Sequence, residues 1–204
     1  MNNEIVKIIG FLPVAFVEEV CALIEKCDEA HSFEHVWDVM RETARLSGGS
    51  PTATIAAFMH DIGLVVDRER HHIVGAVMCN QLITKHQIAC NLSMVVDAVM
   101  EHRNSHTGEY SSLCSEYVAA ADRGRPDLHK ALVRSYKYAT SKLGKCHADA
   151  VQHAWNHTRE MFLLKPVTVP AWYMNHYRVE WDRMLDELRQ ETVEDTAERL
   201  ARFA

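Results

Sequence analysis

At 204 residues the chain is long enough for one sizeable helical core, or for one core with a helical appendage. Hydrophobic residues make up 48% and charged residues 25%, a balance that excludes a disordered chain. The formal net charge of −6 excludes bulk nucleic acid as the main partner, since binding a polyanion rests on a basic surface.

The first stretch is apolar from Ile5 to Ile24, but Lys7, Gly10, Pro13, Glu18 and Glu19 interrupt it. It has neither the basic start of a signal peptide nor the length of a membrane span, so the expected setting is the cytoplasm, with no membrane partner. Helical spacing begins near Pro13 and runs through Val17, Val20, Leu23 and Ile24. Ser32 can cap a second helix carrying Val36, Val39, Met40 and Ala44, which ends at Gly48–Gly49. Ser50–Pro51 starts a third helix through Ile55, Ala56 and Met59, which stops at Gly63.

Residues 64–70 read as a short charged connection, followed by helices at about 71–86 and 91–102. A loop from Arg103 to Ser112 leads into a helix with Leu113, Tyr117 and Ala121, broken by Gly124 and Pro126. Three further helices are expected near 128–143, 147–164 and 171–189, with a tail near 192–203. Pro166 and Pro170 bracket the expected internal boundary. No run alternates as a strand would, so the fold class is all-α, a helical bundle with short loops.

Six cysteines at 21, 27, 79, 90, 114 and 146 contain no Cys-x-x-Cys pair, which reads as free thiols in a reducing compartment. The unusual total is thirteen histidines, since imidazole is the commonest protein ligand for transition metals. His35 lies in the first turn of its helix, His60–Asp61 in the last turn of theirs, and Asp122 closes the helix from Leu113. His71 or His72 and His102 extend the series, each at a predicted helix end. Mixed imidazole and carboxylate ligation with open positions suits Mn, Fe, Co, Ni or Zn, with Mg possible, better than calcium.

These residues resemble the HD-domain superfamily of metal-dependent phosphohydrolases, whose pattern is H…HD…D on a helical bundle. "HSFEHVWDVMRETA" looks like its first helix, "AAFMHDIG" like its HD helix, and "YVAAAD" like its last ligand helix. The resemblance implies an HD domain over residues 1–165, with 166–204 as a helical extension packed on the same core. It implies His35, His60, Asp61 and Asp122 as primary metal ligands. A subset of the superfamily adds histidines for a second ion; "HHIVGA" and "VVDAVMEHRNSHTGEYSSL" match it with His71, or the adjacent His72, and His102. From His71 to "AAADRGRPD" the chain is similar to the dinucleoside-tetraphosphate hydrolase branch, whereas "AHSFEH" is closer to the branch that cleaves nucleoside triphosphates.

The implied activity is hydrolysis of a phosphoanhydride or phosphodiester bond in a small nucleotide, by hydroxide formed on one or two divalent ions with Asp61 as the bridge. Arg123, Arg125, Arg134 and Lys137, after Asp122, and Arg103, after His102, are the candidate phosphate ligands. Arg103 and His31 are further candidates for the chemistry, His31 as proton donor to the leaving group. Two other readings remain: a nucleotide-binding signalling module without turnover, and a zinc peptidase, because His31 with Glu34–His35 spells H-x-x-E-H. His153 and His157 lie four apart on one helical face, which could be a ligand pair, but without a nearby carboxylate candidate they read as surface or packing residues. The amphipathic tail from Glu191 is a candidate contact in a homo-oligomer.

Overall fold

The computed structural model describes residues 8–165 and 168–203. Ile5 and Lys7 of the apolar run and Pro166 of the expected boundary lie outside them. Among the described residues every regular element is helical, as the spacing predicts. None of their helices is long and apolar enough to cross a membrane.

The chain divides into two compact units. The first comprises residues 1–27, 31–124 and 168–170; the second comprises 28–30, 125–167 and 171–204. The main division therefore follows Gly124, and the boundary expected after residue 165 falls inside the second unit.

In the first unit, α1 (Val14–Ile24) follows Pro13, and α2 (Phe33–Leu46) follows Ser32. Ser32 has the extended backbone of an N-cap, but its side chain makes no capping bond. At α3 (Pro51–Met59) Ser50 does cap, its hydroxyl accepting from the Ala53 N–H at 3.4 Å. All side chains from Ala53 to Met59 are buried. A helix apolar on every side must be enclosed, and α3 packs against α2, α5 (Leu92–Glu101) and α6 (Leu113–Arg123). Its C-terminal end thereby carries His60 and Asp61 into the interior, where they are 0% and 5% exposed.

The expected charged connection begins instead as a 3-10 turn, Ile62–Val65, packed against α4 (His71–Lys85). Gly63 makes that packing possible: a Cβ there would lie 2.0 Å from the His71 carbonyl oxygen and 2.6 Å from the Gly75 nitrogen. Asn91 caps α5 and Ser112 caps α6, while Gly124, at φ 70°, ends α6 in a conformation that favours glycine.

The second unit holds α7 (Leu128–Ser141), α8 (His147–Arg159), α9 (Ala171–His176), α10 (Arg178–Gln190) and α11 (Val193–Leu200). Its buried residues include Leu132, Tyr136, Ala154, Tyr173, Trp181, Leu188 and Leu200. Two expectations change here. The helix expected over 147–164 turns π-helical at Glu160–Leu164, and the helix expected over 171–189 is divided at Tyr177.

All six cysteines are free. Cys79 and Cys114 are buried, and burial pushes the Cys114 thiol up to about 12 and Cys79 further in the same direction. Cys146 is exposed. A thiol reagent at pH 8 is therefore expected to modify Cys146 first and to reach Cys79 and Cys114 only after unfolding. Peptide mapping of labelled protein checks the order; early labelling of Cys79 in folded protein would contradict it.

Candidate metal centre

Six side chains from five helix ends meet in the first unit. His35 projects from the first turn of α2, His60 caps the end of α3, and Asp61 begins the 3-10 turn. His71 opens α4, His102 follows the last residue of α5, and Asp122 stands one residue before the end of α6.

They form two groups that could each hold an ion: His35, His60 and Asp122, and Asp61, His71 and His102. In the first, His35 Nε2 is 3.1 Å from Asp122 Oδ1 and 3.3 Å from His60 Nε2. In the second, His71 Nε2 and His102 Nε2 are 3.2 Å apart and lie 3.6 and 3.5 Å from Asp61 Oδ1. The other Asp61 oxygen, Oδ2, faces the first group, 3.0 Å from His60 Nε2 and 3.5 Å from His35 Nε2. One carboxylate thus turns an oxygen to each group.

Backbone carbonyls set the imidazole tautomers. His60, His71 and His102 each donate from Nδ1 to the carbonyl three residues earlier, on Ala57, Arg68 and Val99, at 2.8, 2.8 and 2.7 Å. That assignment places a proton on each Nδ1 and aims each Nε2 into the site, the arrangement that orients metal-binding histidines. Bare nitrogens 3.2 Å apart, as in His71 and His102, need a cation between them. Asp61 Oδ2 is buried as well, facing the Nε2 atoms of His60 and His35. The donor set fits a divalent transition ion on these grounds.

The electrostatics point the same way. Burial opposes a charge on His60, but the Asp61 and Asp122 carboxylates outweigh it and raise the imidazole to about 9. Burial also opposes the charge on Asp61, and His60, His102 and His35 overcome it, holding the carboxyl well below its usual range. His71 moves the other way: burial lowers it to about 4, with the Arg68 carbonyl and Asp61 only partly offsetting that, so it stays neutral at pH 7. Without an ion, the pocket therefore holds a proton on His60 at neutral pH. An incoming ion must displace it, so affinity is expected to rise roughly tenfold per pH unit from 7 toward 9 and then level off. Competition with a chromophoric chelator at pH 7 and 8 checks this; equal affinities would contradict it.

Of the alternatives His71 and His72, only His71 joins a ligand group. His72 is half-buried, its Nδ1 lying 3.5 Å from Arg103 Nη1. Arg103 also donates to the Glu69 carbonyl, which fixes it at the start of α4 beside the second group. Arg123 is half-buried beside Asp122, and the His31 ring meets the His35 ring edge-on at 5.9 Å. His31 is in neither ligand group and Glu34 is exposed, so the H-x-x-E-H reading gains no support among the described residues.

Arg125, Arg134 and Lys137 belong to the second unit. There Arg125 lies over the Tyr177 ring at 5.7 Å, Lys137 pairs with Glu29 at 3.5 Å, and Arg134 is half-buried. Neither the three carbonyl acceptors nor the close approach at Gly63 follows from the sequence pattern. The glycine two residues after Asp61 was the available signal for the second.

An all-helical protein with clustered histidines and aspartates at its helix ends is the class that fold and site define. Residues 32–125 match the model of a known family, the HD domain, and the match takes in all six clustered side chains. The chain matches no curated protein and no solved structure.

Proposed function

We propose that the chain is a metal-dependent phosphohydrolase of the HD type that cleaves a phosphoanhydride or phosphodiester bond in a small nucleotide. The observation that carries this reading is Asp61, whose two oxygens serve two histidine groups with bare nitrogens. His35, His60, Asp61 and Asp122 would hold one ion, and Asp61, His71 and His102 a second. When bound, such ions lower the pKa of water from about 15.7 toward 7 and offset charge on phosphoryl oxygens.

The chain's own groups supply positioning. The backbone carbonyls of Ala57, Arg68 and Val99 keep the ligand nitrogens aimed without reorganisation during reaction. Arg103, held by the Glu69 carbonyl, keeps further N–H groups for phosphate oxygens, and Arg123, half-buried beside Asp122, is the candidate on that side. His31, beside His35, is the candidate proton donor to the leaving oxygen. The net charge of −6 suits a small anion recognised at a local cationic site rather than a polymer bound over a broad surface.

Metal analysis followed by a screen of nucleoside triphosphates, dinucleoside polyphosphates and cyclic nucleotides tests the reading. The expected result is bound transition metal and turnover of at least one class. Tight nucleotide binding without product, whichever ion is supplied, would instead make this a binding module.

A further inference from the structure

The approach of α4 to α5 that pairs His71 with His102 also brings together the residues that follow them, His72 and Arg103. Two acceptors hold Arg103 at the start of α4. One Nη1 hydrogen goes to the Glu69 carbonyl, and His72 Nδ1 lies 3.5 Å from the same Nη1. A guanidinium only donates, so the Nδ1 that meets it is the acceptor and the His72 proton stands on Nε2. That tautomer is the opposite of the one in His71 and His102, whose Nδ1 atoms donate to backbone carbonyls.

Both acceptors are uncharged, so neither neutralises the guanidinium. Asp67, just before α4, is already paired with Arg70 at 2.8 Å. The helix runs for 15 residues from His71, and its N-terminal end adds to the positive field around Arg103. A cation held by neutral groups at such a place is set for an incoming anion. With both Nη1 hydrogens engaged, the Nε and Nη2 hydrogens remain, and they form an edge that can meet two phosphate oxygens side by side.

We propose that His72 is a positioning residue: with the Glu69 carbonyl it locks Nη1, and so presents the Nε–Nη2 edge of Arg103 to a substrate phosphate. The identity of that anion rests on the phosphohydrolase reading above. His72 itself holds no ion, since it stands outside both ligand groups.

Long-range proton–nitrogen NMR of metal-free full-length protein at pH 8 reads the tautomer without any substrate. His72 is expected to carry its proton on Nε2, and a proton on Nδ1 would overturn the proposal. Calorimetric titration of inorganic phosphate into Mn(II)-loaded protein, freed of excess ion, reads the consequence. His72→Phe, which keeps a ring but no acceptor, is expected to raise the phosphate Kd about three- to tenfold, the worth of one hydrogen bond. His72→Asn, whose Oδ1 stands where Nδ1 stood, should bind phosphate nearly as wild type does. In an Arg103→Ala background His72→Phe should add nothing, because its effect passes through that guanidinium. A wild-type Kd in His72→Phe, an equal loss in His72→Asn, or the same further loss in the Arg103→Ala background would each overturn the proposal, as would a wild type that binds no phosphate. The expected pattern in a protein that hydrolyses no nucleotide would refute the reaction and leave the positioning of Arg103 standing.

Discussion

Asp61→Ala protein is expected to stay folded, to lose bound metal, and to lose hydrolysis by more than about a hundredfold. The size follows from position. Changing a residue that merely supports a metal ligand costs about 10–100-fold, and Asp61 turns an oxygen to each of the two ligand groups itself. Folding should survive because the interior around it is carried by buried apolar residues such as Ile55, Phe58, Val95 and Val118, and without the carboxylate His60 falls back toward its neutral form. Circular dichroism, metal content and initial rates on the same preparation check the three parts. Wild-type hydrolysis by folded, metal-depleted Asp61→Ala protein would refute the role given to this residue.

Gly63→Ala is expected to do the reverse, damaging the fold first and the site through it. The added methyl would sit 2.0 Å from the His71 carbonyl oxygen and 2.6 Å from the Gly75 nitrogen, both backbone atoms with no rotamer to change. Overpacking of this kind costs about 3 kcal/mol at the upper end of the usual range. For a chain of this size that corresponds to a fall in Tm of roughly 6–12 °C. The shift also pushes the start of α4 away from Asp61, so the His71–His102 group should lose its ion before the His35–His60 group does. Gly75→Ala provides the contrast. Its nearest obstacle is the Val99 side chain at 3.2 Å, which can yield, so the loss should be smaller. Thermal melts and metal stoichiometry of the two variants decide the matter; equal, small effects would show that the turn after Asp61 is not constrained.

The helix ends were legible because each combines a stop or start signal with a polar residue. Ser50–Pro51, Asn91 and Ser112 mark starts, and Gly124 marks a stop. Of these signals only Gly124 stands beside a clustered side chain, Asp122; the other clustered side chains were legible as histidine and aspartate residues near predicted helix ends that match the H…HD…D pattern. The choice between His71 and His72 was not, because neighbouring residues on a helix differ by about 100° in direction and only the packed helix shows which faces inward. The split at Tyr177 was hidden for a related reason. Tyr173, Tyr177, Trp181, Met184 and Leu188 keep helical spacing across the break, all of them buried, so the apolar pattern reads as one helix. The division after Gly124 had its own signals in Gly124 and Pro126, but Pro166 and Pro170 presented the same kind of punctuation farther along. Punctuation marks the end of an element, and only long-range packing shows which elements share a core.

If Asp61 stands between two ion positions, anomalous diffraction from crystals grown with Mn(II) or Zn(II) will show both. The expected result is one peak bounded by His35, His60, Asp61 and Asp122, and a second bounded by Asp61, His71 and His102. Crystals grown with a saturating ion that show no peak beside Asp61 would contradict it.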